Sequence, residues 1–158
     1  MRVLLVHGPN LNRLGKRNPA VYGTVTLDEI TKALTVHGRD AGIEVLAFQS
    51  NHEGGLIDWL QAEAGQADAV IINPGGLAHY SVALRDALED TRLPVVEVHI
   101  SEPQKREAFR HAMVTATAAV RLISGRGIAG YLEALDLARE VAGQSPGRDR
   151  QGHEADEG

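Results

Sequence analysis

The 158 residues contain no cysteine, which removes disulfides, thiolate nucleophiles, zinc ribbons and iron–sulfur clusters at one stroke. There is no excess of basic charge either. The 16 Lys and Arg against 21 Asp and Glu give a net charge of −5, no footprint for a polyanion, so nucleic acid is not an expected partner. Aromatic residues make up only 4%, few to flank a flavin ring. The longest apolar runs, Val3 to Val6 and Ala69 to Ile72, fall far short of the roughly 20 residues of a membrane helix. The opening Met1-Arg2-Val3-Leu4-Leu5-Val6-His7 lacks a signal-peptide layout, so a cytoplasmic protein with no membrane partner is expected. What remains for chemistry is His, Arg, Asp, Glu, Tyr, Ser and Asn in a chain of single-domain size.

Aliphatic, β-branched runs recur at Val3 to Val6, Ile43 to Phe48, Ala69 to Ile72, Pro94 to Ile100 and Val120 to Ile123. They are continuous rather than alternating, as in strands buried on both faces of a parallel sheet. Between them lie segments of helical period. Thr26 and Glu29 form a capping box ahead of Leu27, Ile30, Ala33 and Leu34. A second helix is predicted from about Leu56 to Ala64, and a third over Ser81 to Glu89 with Arg85 and Glu89 paired at i,i+4. A fourth is predicted to open near Pro103, and the last carries Ile128, Leu132, Leu135 and Leu137. Five strands alternating with five helices make an α/β, doubly wound domain over residues 1–142, with helices on both faces and a flavodoxin-like strand order of 2-1-3-4-5. The segment from Gly143 to Gly158 has no apolar period and is predicted to be a disordered tail.

In such a sheet, ligands bind beyond the carboxyl ends of the strands. Four polar clusters follow strands there: His7-Gly8-Pro9-Asn10-Leu11-Asn12, Gln49 to Gly54, Asn73-Pro74-Gly75-Gly76 and His99-Ile100-Ser101. Asn and Gly also serve ordinary turns, but four clusters on one sheet edge point to a small-molecule site. The connection from Gly8 to Val25 exceeds the roughly 12–15 residues at which structureless loops become uncommon, and its Arg13, Lys16, Arg17 and Tyr22 suit a lid bearing cations and a phenol. Glu97 and His99 stand two apart in an otherwise aliphatic strand, hence on one face, where each offsets the burial of the other. Such a pair serves either as a satisfied structural contact or as an oriented proton donor. Ser101, at the start of the predicted fourth helix, would offer backbone N–H groups and a hydroxyl to a carboxylate or phosphate.

Two motifs lead elsewhere. Gly125-Arg126-Gly127-Ile128-Ala129-Gly130 fits GxGxxG but follows the last strand, leaving no further strand to supply a ribose-binding acid, so close backbone packing is expected there. His52-Glu53 begins like a zinc helix, yet Leu56 stands where the second histidine is needed, and no metal is expected.

The stretch from His7 to Gly23, HGPNLNRLGKRNPAVYG, resembles the amino-terminal signature of the type II 3-dehydroquinate dehydratases. Later blocks agree in order: Gln49-Ser50-Asn51-His52-Glu53-Gly54; Asn73-Pro74-Gly75 with His79 and Arg85-Asp86-Ala87-Leu88; and Glu97 to Ser101 with Arg106-Glu107 and Phe109-Arg110. The resemblance covers about residues 2 to 140. It implies a cofactor-free lyase that dehydrates 3-dehydroquinate to 3-dehydroshikimate, in shikimate-pathway biosynthesis or quinate catabolism, as a homododecamer made of four trimers. By the same resemblance Tyr22 is the base, Arg17 stabilises its phenolate, Asn12 holds a water for the enolate, His99 is the acid and Glu97 orients it. Substrate contacts are implied for Asn73, His79, Ile100, Ser101, Arg110 and, from a neighbouring subunit, Asp86. The chain differs from the family's usual pattern at His7 (usually Asn), Asn18 (Glu), Ala78 (Thr) and Glu102 (Asn). Glu102 sets a negative charge next to the implied carboxylate site, and Ala78 removes a hydroxyl beside His79. Other readings of the same fold are a non-catalytic or altered-specificity paralogue, a flavin or nicotinamide oxidoreductase, and a receiver domain. The last would need acidic residues after the first strand and an Asp after the third, where His7-Gly8-Pro9-Asn10 and Asn73-Pro74 stand.

Overall fold

A computed structural model describes residues 1–144. Five parallel strands form one sheet in the order β2-β1-β3-β4-β5: β1 (Arg2–His7), β2 (Glu44–Gln49), β3 (Ala69–Asn73), β4 (Val95–His99) and β5 (Arg121–Ser124). The predicted order is the observed one. Helices α2 (Leu27–Asp40) and α5 (Gly127–Gln144) cover one face, where Val3, Leu5, Ile71 and Val98 pack against Ile30, Leu34 and Leu135. Helices α3 (Glu53–Glu63) and α4 (Val82–Asp90) cover the other, joining Leu4, Val6, Val70 and Ile72 to Leu56, Leu60, Leu84 and Leu88. Burial of each large aliphatic side chain contributes about 1.5–3 kcal/mol, and these two layers account for most of the chain's Leu, Ile and Val.

Local signals act where expected. Thr26 Oγ1 accepts from the Glu29 amide (3.2 Å) and the Thr26 amide donates to Glu29 Oε2 (3.3 Å), completing the capping box of α2. Arg85 Nη1 donates to Glu89 Oε2 at 2.7 Å along α4. Burial on both faces holds for β1, β3 and β4 but not for the edge strands, where Glu44, Ala47, Arg121 and Leu122 are exposed. Each edge strand has a neighbour on one side only.

Three expectations need correction. The predicted fourth helix is instead three short 3-10 turns, Pro103–Lys105, Ala108–Arg110 and Thr115–Ala118. The last turn is bound from outside: the Val114 amide donates to the Ala78 carbonyl (2.8 Å) and the buried Thr115 hydroxyl reaches Glu97, so tertiary bonds replace helical ones. The long first connection is partly ordered by a 3-10 turn at Leu11–Arg13 and a single helical turn, α1 (Pro19–Tyr22), anchored by buried Leu11 and Leu14. Finally, Gly143 and Gln144, placed in the predicted tail, close α5, while the remainder of that tail lies outside the described residues.

Candidate active site

Strands β1, β3 and β4 end side by side, and register places His7 opposite Asn73. The turns that follow meet backbone to backbone. A Cβ on Gly8 would lie 2.2 Å from the Pro74 carbonyl oxygen, and one on Gly75, whose φ is +60°, 2.9 Å from that of Pro9. Only glycine permits this approach, which closes the floor of a cavity of about 200 Å³ at the strand ends.

Of the residues singled out above, Arg17, Tyr22, Asn73, His79, His99, Ile100, Ser101 and Arg110 line this cavity. Glu97 lies beneath it, fully buried, with Oε2 3.0 Å from His99 Nε2 and Oε1 accepting from the Thr115 hydroxyl. A carboxylate accepts only, so Nε2 carries a proton and Nδ1 is the ring nitrogen left for a substrate. His79 is fixed in the opposite sense: its Nδ1 lies 2.8 Å from the Ala112 carbonyl oxygen and must donate to it, leaving Nε2. Asn73 is held at both ends of its amide, Oδ1 accepting from the Gly75 amide (3.1 Å) and Nδ2 donating to the Tyr131 hydroxyl (2.9 Å).

The phenol of Tyr22 sits between two guanidinium groups. Arg17 lies over the ring face, 4.5 Å from its centroid, whereas the hydroxyl accepts from Arg106 Nη1 at 2.9 Å. Arg106 was not assigned a role from sequence, although it belongs to a block that carries the resemblance. A half-buried phenol needs a hydrogen-bond partner at its oxygen, and that requirement was the available signal. Arg110 Nε donates to Glu107 Oε2 (2.8 Å), whose carboxyl lies below its ordinary pKa because of its own backbone amide first and the Arg110 bond second. Three arginines and two histidines line the cavity with no carboxylate among the lining residues, a field suited to an anion.

Two implied site residues stand elsewhere. Asn12 is exposed on the first 3-10 turn and does not line the cavity. Asp86 is exposed on α4, bonded to Arg85 (3.0 Å) beside a separate open groove with Ile57, Gln61 and Arg92. The Gln49 to Gly54 cluster props the first loop instead of lining the cavity: Gln49 Nε2 donates to the Gly8 carbonyl (3.2 Å) and Asn51 Oδ1 accepts from the Asn10 amide (2.9 Å). Ser101 does not open a helix as expected, since only a three-residue 3-10 turn follows, so no helix dipole assists there.

Glu102 does not line the cavity. Its Oε2 accepts from the Ser124 hydroxyl (2.7 Å) and Oε1 from the Gln104 amide (3.3 Å), and the serine bond is the main cause of its lowered pKa. Ala78 is fully buried, its carbonyl accepts from the Val114 amide, and it does not line the cavity. The GxGxxG segment is a packing device: a Cβ on Gly130 would lie 3.1 Å from Ile123 Cγ2 and 3.3 Å from Arg126 Cβ. Among the described residues no cluster of His, Asp and Glu could hold a metal ion, and no helix is long and apolar enough to cross a membrane.

The model of the dehydroquinase class II family matches residues 1–139. A curated 3-dehydroquinate dehydratase of Roseiflexus castenholzii is 52% identical over 147 residues, covering 93% of this chain and 94% of that protein. The one from Halothermothrix orenii is 56% identical over 135 residues, covering 85% and 91%. A crystal structure of a type II dehydroquinase from Butyrivibrio crossotus superposes with a TM-score of 0.86 at 40% identity, covering 88% of this chain and 97% of that one. With its strand order, its strand-end cavity and these matches taken together, the chain belongs to the class II dehydroquinase family.

Proposed function

We propose that the protein is a 3-dehydroquinate dehydratase that removes water through an enolate, without a Schiff base. The observation that carries the mechanism is the pairing, in one carboxylate-free cavity, of a phenol flanked by two arginines with a histidine backed by a buried carboxylate. Tyr22, as phenolate, takes the C2 proton next to the C3 ketone. Arg17 and Arg106 stabilise the phenolate charge. The electron pair left at C2 spreads into a C3 enolate, for which Asn12, on the first 3-10 turn outside the cavity lining, is assigned to hold a stabilising water between itself and the substrate. Collapse of the enolate forms the C1–C2 double bond as the C1 hydroxyl leaves with a proton from His99, releasing water and 3-dehydroshikimate. Glu97 orients His99 and stabilises the imidazolium. Tyr22 then holds the proton that His99 lacks, and its return resets the site.

Asn73, His79, Arg110 and the Ile100-Ser101 segment bind the substrate's hydroxyls and carboxylate. Asp86, outside its own cavity, serves the cavity of a neighbouring subunit within a homododecamer of four trimers, and the enzyme works in the cytoplasm. The exposed positions of Lys16, Lys32 and Lys105, none of them lining the cavity, support elimination without an imine.

The test follows enone absorbance in the ultraviolet with 3-dehydroquinate, in the presence and absence of borohydride. Turnover unaffected by borohydride is expected. Wild-type turnover indistinguishable from buffer would overturn the assignment, and inactivation by borohydride with substrate would overturn the mechanism.

A further inference from the structure

His7 is 1% exposed at the end of β1, and its Nε2 lies 3.1 Å from the hydroxyl of Tyr131, itself fully buried on α5. That hydroxyl also meets Asn73 Nδ2, which makes a continuous buried chain from the Gly75 amide through Asn73 and Tyr131 to His7. One end of the chain has fixed polarity. A backbone N–H only donates, so the Asn73 atom facing Gly75 is its oxygen and the atom facing Tyr131 is its NH2. The Tyr131 oxygen therefore accepts from Asn73, and its single proton goes to the other polar atom within reach, His7 Nε2. His7 Nε2 must be an unprotonated acceptor, with the ring proton on Nδ1. Burial keeps the ring neutral in agreement with this polarity, lowering its pKa to about 3. A flipped Asn73 amide would set its NH2 against the Gly75 N–H, and a doubly protonated His7 would set Nε2–H against the Tyr131 O–H. Either arrangement leaves two donors face to face.

We infer that His7 is a positioning residue for substrate binding: as terminal acceptor of the Gly75–Asn73–Tyr131–His7 chain, it takes the Tyr131 proton and so holds the Tyr131 oxygen as an acceptor for Asn73, steadying the orientation set by the Gly75 amide, with the second Asn73 N–H a donor toward the cavity. The subsite at Asn73 accordingly takes an oxygen acceptor, a hydroxyl or carboxylate oxygen, and disfavours an N–H or ammonium group. This inference rests on the assignment of Asn73 to the substrate site.

Two measurements on the full chain test it. Nitrogen-15 NMR of the histidine rings, without substrate, reads the tautomer directly, and neutral, Nδ1-protonated His7 is expected between pH 5 and 8. An Nε2-protonated or charged His7 would overturn the chain's polarity. The second is steady-state kinetics with 3-dehydroquinate. His7→Leu removes the acceptor and is expected to raise KM about tenfold, the loss of one positioned hydrogen bond, while kcat changes by less than about threefold. His7→Gln, which places an amide oxygen at a reach similar to Nε2, is expected to restore KM to within about threefold. A folded His7→Leu with unchanged KM, or a folded His7→Gln no better than Leu, overturns the positioning role. If His7→Leu does not fold, the tautomer and the KM of His7→Gln still decide. Should the wild type fail to turn over 3-dehydroquinate, the functional assignment falls, whereas the NMR result still stands for or against the chain.

Discussion

The floor and the rim of the cavity are built by different means. The floor consists of strand ends: His7, Asn73, Glu97 and His99 are all less than a tenth exposed, lie on the three central strands, and each has at least one polar atom tied to another of them or to Tyr131, Thr115 or Gly75. The rim consists of loop segments, the single helical turn α1 and 3-10 turns carrying Arg17, Tyr22, Arg106 and Arg110, all partly exposed and held by cation–π contacts, single hydrogen bonds and exposed ion pairs. A floor residue therefore answers to burial and register, and losing it costs folding energy. A rim residue answers to local charge and to the short turn that bears it. The two partners of the proposed elimination are divided between them, the acid on the floor and the base on the rim, so that acid and base can be tested separately.

The largest predicted effect breaks the rim without touching the floor. Tyr22→Phe keeps the ring between Arg17 and Arg106 and removes only the oxygen, so kcat is expected to fall by 10² to 10⁴ or more, the usual contribution of a general base, while the thermal midpoint stays within about 2 °C. An equal loss of stability would show that the lid is part of the folded core, contrary to the division drawn above. The converse is Glu97→Ala. It leaves a fully buried Thr115 hydroxyl and the His99 Nε2–H without partners, and a cost of about 3 kcal/mol in folding stability is expected together with loss of activity. Chemical denaturation measures it; a cost under about 1 kcal/mol would mean that the pair is worth little to the fold.

Smaller is the effect of Arg106→Gln. The bond from Nη1 to the Tyr22 hydroxyl is charge-assisted once the phenol ionises, and such bonds are worth about 1.5–3 kcal/mol, or a ten- to hundredfold loss. The loss should fall mainly on kcat, with Arg106→Lys retaining part of the rate and neither variant less stable than wild type. If Arg17→Gln is costly and Arg106→Gln silent, the ring-face cation rather than the hydroxyl donor supports the phenolate.

The floor was more legible in the sequence than the rim. Continuous aliphatic runs located all five strands, and Glu97 with His99 stood out because two polar groups at a spacing of two have no place in such a run unless they meet. Asn73 was found at its strand end, but what holds it was not: Tyr131 is 124 residues from His7 and lies in a helix whose other buried positions are apolar or glycine, so it read as core. The rim failed differently. Residues 103–118 have Pro at a helix start and basic residues where a helix tolerates them, yet Val114, Thr115 and Glu97 draw the backbone and side chains into contacts that no local pattern encodes. Arg106 was missed for the same reason, since its partner is a phenol 84 positions away.

A gradual effect, spread over pH instead of set by one substitution, tests how far the floor depends on a neutral His7. Burial lowers its pKa from about 6.5 to about 3. The unfolded chain binds a proton through this range while the folded one does not, so the contribution to stability is intact above pH 6.5 and declines as pH falls toward 3. One unit below 6.5 the loss is about 1.4 kcal/mol, and each further unit adds about as much until the folded ring itself titrates. Carboxylates also lose favourable interactions in acid, so the informative quantity is the difference between wild type and His7→Gln, which has no ring to protonate. The wild type should lose stability relative to the variant from pH 7 to pH 4.5, and Tyr22→Phe, a rim change, should leave that slope unaltered. A wild type and a His7→Gln variant that decline in parallel would mean that His7 charges at no cost inside the folded protein, and the floor would then be as adaptable as the rim.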